Sequence, residues 1–190
     1  TAMVTADIDG DGDLDIVAGA EYDDSVEWYE NDGSQNFTKH TITTSADALW
    51  MVDVADVDGD GDMDVLSASQ NDDKIAWYEN DGSGNFSSHT ITTSANKAHS
   101  VTTADVDGDG DMDVLSASKD DDKIAWYEND GSQNFTAHTI TTSADEAESV
   151  TIADLDGDGD LDVLSASGRD DKIAWYENDG SQNFTAHTIT

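Results

Sequence analysis

The sequence predicts an all-β protein, a β-propeller array of four-stranded antiparallel blades with four blades in the chain. Three observations predict it. The chain repeats itself with a step of 49 residues, marked by Asp7, Asp56, Asp105 and Asp154. Each repeat splits into four short apolar runs separated by turn signals. No stretch carries the 3.6-residue periodicity of an amphipathic helix.

The repeat is close to exact copying. Trp28, Trp77, Trp126 and Trp175 keep the step, as do Phe37, Phe86, Phe135 and Phe184. The stretches Val101–Thr141 and Val150–Thr190 differ at five of 41 positions. The blades are expected at 1–46, 50–95, 99–144 and 148–190. In the third, strand A is expected at Val101–Ala104, B at Met112–Ser118, C at Lys123–Glu128 and D at Phe135–Thr142. The run Asn129-Asp130-Gly131-Ser132 is a hairpin signal between C and D. Strands B and C read DVLSAS and KIAWY, with apolar or small residues on both faces. A sheet with one face in water would alternate more strictly, so each blade should lie between two others. Four strands per repeat of this length is the size of a propeller blade.

Between strands A and B each copy carries five aspartates in nine residues. The first set is Asp7, Asp9, Asp11, Asp13 and Asp15. The second is Asp56, Asp58, Asp60, Asp62 and Asp64, and the third Asp105, Asp107, Asp109, Asp111 and Asp113. The fourth is Asp154, Asp156, Asp158, Asp160 and Asp162. Read as D-x-D-x-D-G-x-x-D, the string offers carboxylates at positions 1, 3, 5 and 9 and a backbone carbonyl at position 7. Such a loop can point hard oxygens at one Ca²⁺ per repeat, as the first part of an EF-hand loop does. Zinc would want His or Cys, which the loop lacks. Magnesium prefers water-rich octahedral sites. The bland alternative is a solvated polar turn, but five like charges this close repel without a cation. The loop is not an EF-hand proper: strands flank it, and position 12 has no Glu.

Composition narrows the function classes. The formal net charge is −37, from 44 acidic and seven Lys and Arg residues. Nucleic acid and anionic membrane surfaces are therefore excluded as partners. No apolar run reaches the length of a membrane span. Cysteine is absent, so there is neither a disulfide framework nor thiolate chemistry. No catalytic signature stands out among the many carboxylates, and no enzyme activity is expected. His40, His89, His138 and His187 recur once per blade, and strand packing is the default reading of them. Asn36-Phe37-Thr38 and its copies match a glycosylation sequon, read here as a by-product of the turn.

The D-x-D-x-D-G-x-x-D loop, the run DVLSAS and the run IAWYENDGSQNF together resemble the FG-GAP/VCBS repeats, the blades of integrin α-subunit heads and of many secreted bacterial proteins. The resemblance covers essentially the whole chain. It implies a propeller with calcium in the A–B loops, an extracellular or cell-surface setting, and a role in adhesion or ligand recognition. Related propellers include sugar-binding lectins. Propellers of this family usually have seven or eight blades, so four is a departure.

Two further expectations concern partners. The A–B loops and C–D turns share one rim, where the copies barely vary. Variation gathers on the B–C and D–A loops, which makes Tyr22, Trp50, Lys97, His99, Lys119 and Arg169 the candidates for a glycan or protein ligand. The two end faces of a four-blade arc would expose apolar strand C residues. Head-to-tail association of two copies would then close an eight-bladed homodimeric ring. The functional alternatives are a calcium-stabilised binding or adhesion module, a lectin-like propeller, and a purely structural repeat of a larger secreted protein.

Overall fold

The computed structural model describes residues 2–190. The first blade contains β1 (Met3–Ala6), β2 (Asp15–Ala20), β3 (Ser25–Asn31) and β4 (Phe37–Thr43). The second contains β5 (Leu49–Ala55), β6 (Asp64–Ser69), β7 (Lys74–Asn80) and β8 (Phe86–Thr92). The third contains β9 (Ala98–Ala104), β10 (Asp113–Ser118), β11 (Lys123–Asn129) and β12 (Phe135–Thr141). The fourth contains β13 (Ala147–Ala153), β14 (Asp162–Ser167), β15 (Lys172–Asn178) and β16 (Phe184–Thr188). Each blade is a separate antiparallel sheet with its strands in chain order. The described residues contain no helix. This is the all-β, four-bladed, propeller-like architecture that the repeat predicts.

Strand A is longer than its apolar run suggests in the last three blades. In β9 it starts at Ala98, three residues before Val101, because Ala98 still pairs with Ser118 across a bulge. Ala98, Ala147 and Leu49 are fully buried at this extension. Trp50 and His99 therefore stand on strands, not on the D–A loops assigned to them from the sequence.

The A strands β5 and β9 and the neighbours β9 and β13 pack side by side, with β1 against β5. The D strands β4, β8, β12 and β16 are mostly exposed on the outside. The core consists of three apolar seams between consecutive blades. The first sets Val17, Val26 and Trp28 against Leu49, Val52, Val65 and Tyr78. The second sets Leu66, Ile75 and Trp77 against Val101, Val114 and Tyr127. The third sets Leu115, Ile124 and Trp126 against Val150, Val163 and Tyr176. Adjacent residues such as Val65 and Leu66 thus serve different seams, which is why strands B and C do not alternate with polar residues. Each such side chain contributes about 1.5–3 kcal/mol when fully buried.

No fourth seam of this kind joins the last blade to the first among the described residues. The outward face of the fourth blade keeps the side chains that its equivalents bury. Ile173 is 38% exposed, whereas Ile75 and Ile124 are at 0%.

Candidate metal centres and their surroundings

The four acidic loops are built by local hydrogen bonding. In the first, Asp9 Oδ1 accepts the Asp11 N–H at 3.2 Å and Asp11 Oδ1 accepts the Asp13 N–H at 2.9 Å. Asp7 Oδ2 accepts the Gly12 N–H at 3.0 Å. These Asx-type contacts curl the chain, and the curl requires left-handed backbone at Gly10 (φ 74°) and Gly12 (φ 96°). The other three loops repeat the pattern.

The ninth aspartate is fully buried and has a second task. Asp64 Oδ2 accepts the Val57 N–H at 3.0 Å and its Oδ1 accepts the Asn80 N–H at 2.8 Å. It thereby ties the start of the loop to the end of strand C. Asp15, Asp113 and Asp162 do the same in their blades. Loss of hydration pushes the Asp64 and Asp113 carboxyls up to about 6, while these backbone N–H groups pull the other way. Asp9, Asp58, Asp107 and Asp156 are also held above the ordinary carboxylate range, first by desolvation and then by repulsion from neighbouring carboxylates. Replacing Asp64 with Ala should cost about 3 kcal/mol even in chelator, because two buried N–H donors lose a charged acceptor. Chemical denaturation of Asp64→Ala in EGTA checks this.

In every loop the first, third and ninth aspartates converge. One oxygen from each of Asp7, Asp9 and Asp15 lies within 4.8 Å of the others, and the same holds for Asp56, Asp58 and Asp64. Asp105, Asp107 and Asp113 form the third such group, and Asp154, Asp156 and Asp162 the fourth. The fifth and seventh aspartates fall outside these groups. The seventh instead turns its carboxylate toward the C–D turn, where a Cβ on Gly33 would meet Asp13 Oδ2 at 2.3 Å. A divalent cation fits the three-carboxylate cradle. In the first loop Asp7 Oδ1 is buried without a hydrogen-bond partner, a costly state that a cation relieves, whereas its counterparts in the other loops accept the N–H groups of Gly59, Gly108 and Gly157. The donors are all hard oxygens, the set that calcium takes.

The C–D turn supports the loop from beside it. Asp130 Oδ1 accepts the N–H groups of Ser132 and Asn134, and the Asn134 amide also donates to the Asp130 carboxylate. The sequon asparagine is thus a turn clasp. Gly131 (φ 70°) stands against Asp111, and an added Cβ would meet Asp111 Oδ2 at 2.4 Å. Gly131→Ala should therefore destabilise by about 1–2 kcal/mol from backbone strain alone. It should weaken the third loop as well, which a thermal melt with and without calcium separates.

A residue missed in the sequence connects these loops across blades. Asn80 Nδ2 donates to the Ile8 carbonyl of the preceding loop at 2.7 Å and to the Met63 carbonyl of its own loop at 3.1 Å. Asn129 bridges Val57 and Met112, and Asn178 bridges Val106 and Leu161. The signal was present: this Asn closes the YEN run in all four copies. Its reach into the neighbouring blade has no local signature.

The histidines are accounted for by packing. His138 stacks on Trp126 at 4.5 Å, and its Nε2 lies 2.7 Å from Glu128 Oε2. His40, His89 and His187 repeat the arrangement.

Tyr22 is 92% exposed. Trp50 packs on His99 with ring centroids 4.3 Å apart, and His99 Nδ1 lies 2.9 Å from the Glu148 carbonyl. Lys119 pairs with Glu146 and Glu148, and Lys97 with Asp120. Arg169 approaches Asp145 at 3.9 Å. The structure brings Trp50 and His99 together, and Lys119 meets the same residue as His99, Glu148.

Comparison with known proteins agrees with this architecture. The FG-GAP-like repeat profile matches residues 7–67, 56–116, 105–165 and 154–190. No curated protein matches the sequence. The fold is similar to an Agrocybe aegerita lectin whose structure describes recognition of non-reducing terminal N-acetylglucosamine. That match has a TM-score of 0.67 and 23% identity, covering 98% of this chain and 51% of the lectin. The V. cholerae biofilm matrix protein Bap1 matches at TM-score 0.64 and 21% identity, over 97% of this chain and 27% of that one. A Lactobacillus plantarum protein matches at TM-score 0.64 and 15% identity, over 100% of this chain and 54% of its own. The chain thus spans about half the length of two of these structures and about a quarter of the third. With its profile matched four times in succession from Asp7 to Thr190, the chain belongs to the FG-GAP-like repeat family.

Proposed function

We propose that the chain is a calcium-stabilised extracellular binding module and that it recognises its ligand without chemistry. The observation that carries the reading is the convergence of three carboxylates in each of four loops, each placed at the seam between blades or at its open end. Calcium bound there would neutralise part of the −37 charge and fix the A–B rim, opposite the B–C and D–A loops that carry the candidate ligand residues. The loops have nearly the same donors, so their affinities should be similar and modest, on the order of 10⁻⁴ to 10⁻³ M. Such affinities suit the millimolar calcium of an extracellular setting. The likeness to a lectin and to a biofilm matrix protein supports a secreted, glycan-binding role. The accompanying proposal for partners is head-to-tail self-association of two copies into an eight-bladed ring. Screening the chain on a glycan array in calcium and again in EGTA tests recognition. Calcium-dependent retention of a defined glycan class supports the lectin-like reading, and uniform silence favours the structural-repeat alternative.

A further inference from the structure

On the calcium reading above, on which this inference rests, we propose that Asn80, Asn129 and Asn178 couple the four acidic loops. An ion held in one loop then raises the affinity of the loops beside it.

Each of these asparagines touches two loops at atoms next to the candidate metal ligands. Asn80 is 1% exposed, and its backbone and side-chain N–H groups all find acceptors in the loops. The backbone N–H donates to Oδ1 of Asp64, one of the three converging carboxylates of the second loop, at 2.8 Å. One side-chain N–H donates to the carbonyl of Met63, just before Asp64, at 3.1 Å. The other crosses the seam to the Ile8 carbonyl of the first loop at 2.7 Å. Ile8 lies between Asp7 and Asp9, and its own N–H is held at 2.9 Å by Oδ2 of Asp15, the third carboxylate of that loop. A path of buried hydrogen bonds therefore runs from Asp15 through Ile8 and Asn80 to Asp64. The same path joins Asp64 to Asp113 through Val57 and Asn129. It joins Asp113 to Asp162 through Val106 and Asn178.

An ion that draws Asp7, Asp9 and Asp15 together fixes the Ile8 peptide between them. That peptide carries the carbonyl to which Asn80 is tied, and the tie restrains the Asn80 N–H on Asp64. Part of the ordering cost of the second loop is then met before its own ion arrives. By linkage the second ion helps the first by the same factor. Repulsion between the ions opposes this, but each loop sets five aspartates against one divalent ion and stays negative. Coupling of this kind moves an affinity by about 5–150-fold. An asparagine that only held the blades together would give no dependence of one loop on the filling of the next.

An NMR titration of the chelator-stripped full chain with calcium reads each loop separately. The N–H groups of Gly12, Gly61, Gly110 and Gly159 each donate to the first aspartate of their own loop and serve as its reporter. Asp56→Asn with Asp58→Asn empties the second loop and spares the buried Asp64. The pair removes two negative charges and, with them, the ion's two positive ones, so the loop keeps the charge of the loaded wild type. The first and third loops should then bind calcium at least about fivefold more weakly, and the fourth should move less. Asn80→Ser keeps the backbone N–H on Asp64 but is too short to reach Ile8. In that background, emptying the second loop should leave the first unchanged, while the third still weakens through Asn129. Gly19→Ala strains the same seam at the far end of β2 and should preserve the coupling. A first loop indifferent to the emptying of the second overturns the proposal. So does a weakening of equal size with and without Asn80→Ser. The first comparison needs no clasp variant and decides the matter even if Asn80→Ser does not fold. No shift at any reporter glycine in saturating calcium brings down the metal reading too, an outcome distinct from four loops that bind independently.

Discussion

Chelation of calcium should lower the melting temperature by about 10–40 °C. An ion that binds only the folded chain stabilises it by RT ln(1 + [L]/Kd) per site. With dissociation constants on the order of 10⁻⁴ to 10⁻³ M and 10 mM calcium, four sites together contribute about 6–11 kcal/mol. That is comparable to the whole stability of an ordinary domain. For a chain of this size, 1 kcal/mol moves the midpoint by about 2–4 °C. Each emptied loop leaves five aspartates in nine residues, so the effect should grow as ionic strength falls. Differential scanning calorimetry in calcium and in EGTA, at two salt concentrations, checks both statements.

The second large effect concerns the first seam. Gly19 occupies the place of Ala68 and Ala117, and a Cβ built on it would lie 1.8 Å from Leu49 Cδ2. Leu49 in turn occupies the place of Ala98 and Ala147, all three fully buried. The first seam therefore joins Gly to Leu where the other two join Ala to Ala. Gly19→Ala should overpack this seam and cost about 1–3 kcal/mol. Leu49→Ala should leave a cavity and cost about 2–5 kcal/mol. The double variant rebuilds the Ala–Ala pair of the other seams, so its cost should fall well below the sum of the two. Denaturant unfolding of the three variants closes the cycle, and strict additivity would show that the two positions do not share volume.

The parts of the fold that were legible in the sequence are those fixed by local chemistry. The glycines and aspartates of the loops, the Asn-Asp-Gly turns and the two-faced strands B and C each carry their own signature and recur at one step. The parts that were not legible depend on neighbours distant in the chain. Strand A reaches back to Ala98 because Ser118 is there to pair with it, not because Ala98 favours a strand. Trp50 and His99 read as loop residues for the same reason. Within the metal loops the spacing proposes carboxylates at positions 1, 3, 5 and 9 and a backbone carbonyl at position 7, whereas the fold converges only three of the carboxylates. The first, third and ninth converge, the fifth holds the turn, and the seventh is drawn toward Gly33 and its copies. The reach of Asn80 to Ile8 spans 72 residues and is set by blade packing.

The central claim is that the acidic loops are calcium sites, and titration of calcium into the chelator-stripped chain tests it most directly. Isothermal calorimetry should show four ions per chain, one for each converged aspartate group, with affinities within the millimolar to tenth-millimolar range. Saturating calcium with no heat, no stoichiometric binding and an unchanged melting curve would contradict it.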